Sequence, residues 1–304
     1  MSSGIGVWLA AVRPAFLSVT LVGVLLGLAT AHYNATFHSV WLAAVTLIFA
    51  LVAHAGANVV NDYFDALSGC DAANVDRIFP FTGGSRFIQD GVLNTRQTAI
   101  YGYGLLISVI PAGFYLILES GTGLLVIGLF GLLCGWAYSA KPFALQSRGI
   151  GELTITIAWM LVVIGSDYVQ RGTFAPAPVF AGLAYALLVA NVLFINQIPD
   201  LKADATSGKR TILVRFGTRI APLGSACLYL GSTLTLLIGI AAAALPTISV
   251  LALLFWAPAI IALQKLHRNI SDSASLAWVI RLTIISTLLS GVLFSCALLL
   301  AVKH

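Results

Sequence analysis

The stretch "VTLIFALVAHAGANVVNDYFDALSGCDAANVD", residues 45–76, starts apolar and ends acidic. Residues 45–57 contain no Asp, Glu, Lys or Arg, whereas 58–76 hold four aspartates and three asparagines. The apolar part is continuous rather than alternating, which argues against a half-buried strand and for a helix in apolar surroundings. In the polar part, Asn61 and Asp65 stand four residues apart and share a helix face. The stretch therefore reads as one helix that crosses a bilayer and carries carboxylates to its mouth. A carboxylate at the centre of such a helix costs about 2.5–3.5 kcal/mol on insertion scales and less near an end, so the mouth is where it is tolerated.

The rest of the chain agrees. Of 304 residues, 59% are hydrophobic and 9% charged, where a soluble domain carries about 25% charged residues. Several apolar runs reach the ~20 residues that span a bilayer as helix. Backbone groups in lipid need internal partners, which leaves helical bundles or closed barrels. Runs rich in Leu, Ala, Ile and Gly favour the bundle. The fold class is thus all-α: one multi-pass domain over 1–304, with nine spans predicted at 14–32, 41–64, 98–118, 122–140, 152–170, 176–198, 221–244, 247–265 and 279–301.

Lys and Arg orient the bundle. In a nine-span chain the N-terminus and the loops after spans 2, 4, 6 and 8 share one side. That side takes Arg13, Arg77, Arg86, Arg96, Lys141, Arg148, Lys202, Lys209, Arg210, Arg215, Arg219, Lys265, Arg268 and Arg281, and the other takes Arg171 and Lys303. The asymmetry predicts a cytoplasmic N-terminus and a working face toward the cytoplasm, in the plasma or inner membrane if the source is bacterial. The net charge of +5 belongs to this face. No basic run or soluble domain offers a nucleic-acid site. Cys70, Cys134, Cys227 and Cys296 form no C-x-x-C pair and read as small buried hydrophobes. The first residues lack the basic flank and cleavage site of a signal peptide, so the first helix is expected to persist.

Function is expected in the two long loops on the basic side, about 65–97 and 199–220. Six of the eleven acidic residues lie at them: Asp62, Asp65, Asp71 and Asp76 at the first, Asp200 and Asp204 at the second. Asn196, Asp200 and Asp204 repeat the four-residue step. Mg²⁺ takes oxygen ligands and binds through one or two carboxylates plus substrate phosphates. Two oxygen-bearing rows facing each other would suit a diphosphate. Capping and solvation account for Asp76 and Asp90 but poorly for Asp65, Asp200 and Asp204. "SGKRT", 207–211, places Lys209 and Arg210 for phosphate oxygens, without the spacing of a Walker loop. "FTGGSR", 81–86, is a Gly-Gly turn followed by Arg86. An ion-coupled transporter is the rival class, but transporters set such charges near the midplane on broken helices, and these acids sit at helix ends before basic loops.

With both segments in place, the chain resembles the UbiA superfamily of intramembrane prenyltransferases over nearly its whole length. The first signature stands here as "NDYFDALSGCD" and the second as "DLKAD" within "NQIPDLKADATSGKRT". "PFTGGSRFIQDG", "SRGIGE" and Arg13-Pro14 are similar to segments of the 1,4-dihydroxy-2-naphthoate polyprenyltransferase branch. The resemblance implies transfer of a polyprenyl group from an allylic polyprenyl diphosphate to an aromatic acceptor, with the tail in an apolar channel open to lipid. The branch implies 1,4-dihydroxy-2-naphthoate, decarboxylated to demethylmenaquinone; 4-hydroxybenzoate and homogentisate are the alternative acceptors. It implies Mg²⁺, two ions with Mn²⁺ as a substitute, on Asn61, Asp65, Asp71, Asp200 and Asp204. Many members carry the last acid of the first segment at the position of Gly69; here it comes at Asp71, as in the longer menaquinone-branch form. Lys209, Arg210, Arg77 and Arg148 are expected to neutralise the diphosphate. Asn58, Tyr63, Tyr138 and Ser139 are expected near the ring or the headgroup, and Arg86 near the acceptor carboxylate. His54 and Gln197 read as packing residues, and Arg215 and Arg219 as charges facing lipid.

Overall fold

Helix ends in this chain follow its local chemistry. In the computed structural model, which describes residues 4–270 and 272–301, there is no strand among the described residues. Lys303 lies outside them. The chain runs α1 (Ile5–Ala11), α2 (Pro14–Tyr33), α3 (Val40–Ser68), α4 (Cys70–Ala73), α5 (Thr95–Ser120), α6 (Gly123–Ala137), α7 (Gly151–Arg171), α8 (Pro176–Thr206), α9 (Ile212–Phe216), α10 (Ala221–Ala241), α11 (Trp256–Arg268) and α12 (Ser273–Leu300). Pro14 and Pro176 open α2 and α8, where a missing N–H costs nothing. Asn94 and Gln97 close a capping box at the start of α5, satisfying two otherwise orphaned donors.

Eight helices among the described residues are long and apolar enough to cross a membrane. The span predicted at 122–140 is shorter than expected: α6 has 15 residues, below the ~20 that cross a bilayer. Its chain leaves the helix at Tyr138 and turns into Lys141-Pro142 instead of continuing. The span predicted at 247–265 begins as a 3-10 segment, Thr247–Phe255, before α11 takes over.

The core lies along α8, which packs against α7, α10 and α12, while α2 packs against α7 and α12 and α3 against α5. Small residues permit the close crossings. A Cβ on Gly27 of α2 would collide with the Val163 carbonyl of α7. Val24, Leu26, Val163, Leu188, Ile195 and Leu298 are fully enclosed. Two cysteines depart from expectation: Cys70 is buried, but Cys227 and Cys296 lie on the exposed surface. At the end opposite the acidic loops, Gln170 holds the 38–39 turn. It donates to the Ser39 carbonyl at 2.9 Å and accepts from the His38 and Ser39 N–H groups at 3.1 and 2.9 Å. Beside it Arg171 grips the buried Asp167 through two bonds of 2.7 and 2.9 Å.

Candidate active site

α3 has 29 residues, about 44 Å of helix, longer than the ~30 Å apolar layer of a bilayer. Its last turns carry Asn61 and Asp65. Ser39 caps its start by accepting from the Leu42 N–H at 3.2 Å. Gly69, at φ 76°, ends it, in the left-handed region that glycine adopts without a Cβ clash. The chain then turns back through α4 and buries Asp71. α8 is likewise long, 31 residues, and presents Asn196, Asp200 and Asp204 on its final turns.

These two ends meet. Lys209 Nζ lies 2.8 Å from Asp65 Oδ1 and 3.4 Å from Asp204 Oδ1, so one ammonium bridges the two acidic rows. Asn74 Nδ2 donates to Asp200 Oδ1 at 2.6 Å, and Cys70 Sγ to Asp204 Oδ1 at 3.3 Å. Asn61 Nδ2 donates to Asp65 Oδ2 at 3.1 Å and to Ser139 Oγ at 3.0 Å. The last contact ties α3 to the end of α6. Asn58, Asn61, Asp65, Asp71, Tyr138, Asp200, Asp204 and Lys209 line one chamber of about 230 Å³. Ser139 is buried behind Asn61.

The chamber is short of positive charge. Burial, then the Asp65 carboxylate, push the Asp71 carboxyl up to about 7. Burial pushes the Cys70 thiol up to about 12. Burial also pulls on the Lys209 ammonium, but Asp65 and Asp204 outweigh it and hold its pKa well above the usual value. Four aspartates thus share the chamber with one lysine and with Arg13, which is itself paired with Asp62. Asn74 and Asn196 each keep a buried Oδ1 with no partner. Unpaired buried oxygens and surplus carboxylates are the donor set of a hard cation. Among the described residues no three His, Cys, Asp or Glu side chains converge as ligands of a single ion. The residues therefore fit Mg²⁺ that binds through one or two carboxylates and is completed by phosphates, not a closed protein cage.

Other sequence-predicted residues sit outside the chamber. Tyr63 packs edge-on against Phe64, with ring centroids 5.0 Å apart. The Arg77 guanidinium lies 5.8 Å from the centre of the Phe79 ring. Arg86 Nη1 donates to the Asp71 carbonyl at 2.8 Å, bracing the backbone of α4. Arg148 and Arg210 are exposed; Arg148 Nη2 donates to the Pro142 carbonyl at 2.7 Å. Arg215 is no free lipid-facing charge, because it donates to the Arg210 and Arg148 carbonyls at 2.9 Å each. The Gly-Gly turn is seated on the carboxylates. The Ser85 N–H donates to Asp62 Oδ2 at 3.1 Å. A Cβ on Gly84, whose φ is 67°, would stand 3.0 Å from Asp62 Oδ1 and 3.1 Å from Asp71 Oδ2.

Several chamber residues escaped the sequence reading of the site. Arg13 enters from the start of α2 with a left-handed backbone, φ 53°, and donates to Asn61 Oδ1 at 3.3 Å. Its signals were a lone cation at the head of an apolar run and the Arg13-Pro14 pair that resembles the naphthoate branch. Asn74 and Gln146 also line the chamber; Asn74 caps the end of α4 and Gln146 lies in the 3-10 turn Leu145–Arg148, with no long helix whose spacing would mark them. Gln197, read as packing, lines the chamber too, with Nε2 donating to Glu152 Oε1 at 2.7 Å. His54 packs as expected, yet it also faces both this chamber and a second cavity.

That second cavity is an apolar groove of about 410 Å³ bounded by α3, α5, α6 and α7; it lies next to the chamber, and the residues lining both form a neck between them. Its outer lining includes Phe114 of α5 and Leu129 of α6, which are 59% and 60% exposed. The groove therefore opens sideways on the surface that lipid would cover.

Comparison with known proteins places this arrangement. Residues 16–288 match the UbiA prenyltransferase family. The chain is 30% identical to the 1,4-dihydroxy-2-naphthoate octaprenyltransferase of Escherichia coli (strain K12), over 75% of this chain and 74% of that one. It is 29% identical to the 2-carboxy-1,4-naphthoquinone phytyltransferase of Synechocystis sp. (strain ATCC 27184 / PCC 6803 / Kazusa), over 70% and 67%. Its fold is similar to a solved structure of a UbiA homolog from Archaeoglobus fulgidus bound to GPP and Mg²⁺. The TM-score is 0.68 at 16% identity, covering 95% of this chain and 99% of that one.

Proposed function

Because the chain belongs to the UbiA prenyltransferase family, we propose that it transfers a polyprenyl group from an allylic polyprenyl diphosphate to 1,4-dihydroxy-2-naphthoate, in the route to menaquinone. The observation that carries this reading is the Lys209 bridge. Asp65 and Asp204, from two distant segments, come within reach of one ammonium in a chamber that lies next to an apolar groove. A molecule with a polyanionic head and a greasy tail matches that pair of cavities. The named activities of the Escherichia coli and Synechocystis relatives support a naphthoate acceptor.

Asn61, Asp65 and Asp71 on one row, and Asp200 and Asp204 on the other, would hold two Mg²⁺ ions, with Mn²⁺ as a substitute. The ions would supply Lewis acidity toward the diphosphate oxygens, which makes it a better leaving group. Lys209 adds a fixed ammonium between the rows, preorganised by burial. Asn61, locked onto Ser139 and Asp65, keeps the first row's oxygens oriented. Asn58 and Tyr138 line the same chamber and bound the space for the acceptor ring. The ring carbon bearing the carboxyl attacks the allylic carbon. CO₂ then leaves with its proton already absent, and the C–C electron pair returns to the ring. The sequence closes without a protein base at that carbon. The basic loops at this end of the bundle support a site that faces the cytoplasm.

The test is product mass spectrometry with a panel of acceptors and labelled donors. Prenylated naphthoquinol and released CO₂ are expected with 1,4-dihydroxy-2-naphthoate. Prenylation of 4-hydroxybenzoate or homogentisate in its place would overturn the acceptor, and no diphosphate release from any donor would overturn the reaction.

A further inference from the structure

If the diphosphate occupies the chamber and the tail the groove, the donor chain passes the neck between them. Five residues line both cavities: His54, Ala57, Gly135, Ala158 and Trp159. Three are small and two are aromatic. The small ones leave space: a Cβ on Gly135 would meet only Ala57 Cβ, at 3.6 Å. The aromatic ones are fixed against each other. The rings of His54 and Trp159 stand edge to face, with centroids 5.0 Å apart and planes at 89°. His54 Nδ1 shares a hydrogen bond of 2.8 Å with Thr20 Oγ1, which sets its ring. Trp159 is 9% exposed, and its Nε1 has no partner. A buried indole N–H normally finds a partner, so no hydrogen bond accounts for an indole at this position. The indole packs in the core cluster with Val19, Val163 and Tyr185, and it lines both cavities with a π system.

We propose, resting on the functional reading above, that Trp159 is a catalytic residue, and that His54, braced by Thr20, positions it. Its indole flanks the allylic carbons as the C1–O bond breaks, stabilises the carbocation electrostatically, and keeps water from it. The bonding pair leaves with the diphosphate oxygen. The acceptor ring carbon supplies the pair for the new C–C bond, and CO₂ departs, returning its pair to the ring. Where water reaches the cation first, it supplies the pair instead and loses a proton, giving the free polyprenol. The ratio of transfer product to polyprenol therefore reports on the neck.

The experiment compares wild type, Trp159→Phe and Trp159→Leu in the full-length protein, measuring kcat, donor KM and the polyprenol share of released diphosphate. Leu keeps apolar bulk and removes the π face; Phe keeps a smaller π face. The expectation for Trp159→Leu is a kcat lower by roughly tenfold or more, a smaller change in donor KM, and a raised polyprenol share. Trp159→Phe should recover most of both. Equal behaviour of Phe and Leu, or a polyprenol share that stays at the wild-type value in both, overturns the proposal. A second measurement needs no variant. An allylic ammonium mimic of the cation, added with inorganic diphosphate, should inhibit the wild-type protein at least ~tenfold better than its neutral ether isostere. Equal inhibition overturns the proposal as well. Failure of the underlying functional reading is distinct, because wild type would then release no diphosphate from any allylic donor.

Discussion

Asp65 and Asp200 are the residues on which the chamber's chemistry turns. Each is replaced by an isosteric amide with little change in volume, so Asp65→Asn and Asp200→Asn should insert and fold. Turnover should fall by at least ~10²-fold, the scale of losing one preorganised electrostatic contact in an active site. Measured product formation near wild type in either variant would sink the metal assignment. Gly84 gives a second test. Ala there enters the left-handed region, at about 1–2 kcal/mol, and places its methyl against the Asp62 and Asp71 carboxylates. Gly84→Ala should lower both Tm in detergent and the affinity for Mg²⁺ with diphosphate, read by calorimetry. At this scale the sequence was informative wherever helical spacing governs. Asn61 and Asp65 share a face because they are four apart, and Tyr63, two from each, is turned away. It was silent where a loop decides. Lys209 and Arg210 are neighbours, yet one is buried in the chamber and the other exposed. Arg13 reaches Asn61 across a separation of 48 residues, which no local spacing encodes.

Among the elements, α3 and α8 do two jobs with one length. Both are longer than the bilayer's apolar layer is thick, and their last turns carry the proposed ligands. The sequence made this legible through an apolar run continuing directly into Asn and Asp. The shorter reach of α6 was not legible, since Tyr138 and Ser139 extend an apolar pattern that the backbone abandons there. The groove beside α6 provides the test at this scale. A Cβ on Gly128 would meet nothing within 4 Å, and the position lines the groove. Gly128→Trp should therefore obstruct the tail without disturbing packing. Turnover of a long polyprenyl diphosphate is expected to fall about tenfold or more through donor KM, while dimethylallyl diphosphate, whose few carbons stop near the neck, should be used nearly as by wild type. An equal loss with both donors would assign the groove another role.

At the level of the whole molecule, both acidic segments, the basic loops around them and Arg13 gather at one end of the bundle, and Gln170 with the Arg171–Asp167 pair marks the other. We propose from the excess of Lys and Arg that the first end faces the cytoplasm. Cysteines introduced at Asp76 and at Thr173 should separate the two faces in intact cells. The position near Thr173 is expected to react with a membrane-impermeant maleimide, and the position at Asp76 only after permeabilisation. The reverse pattern would invert the protein and with it the assigned side of catalysis. The all-helical, multi-pass fold was the most legible feature of all, because it depends on summed apolarity rather than on any single contact.

The sideways opening of the groove, where Phe114 and Leu129 are exposed, carries a consequence for what the protein measures. A closed tunnel would act as a ruler, with a floor against which the last isoprene unit is judged. A slot open along its side has no such gauge: carbons beyond its span can trail among the acyl chains. The number of isoprene units in the quinone made by a cell should then copy the donor pool, and giving the host a different polyprenyl diphosphate should change the quinone to match without any change in this protein.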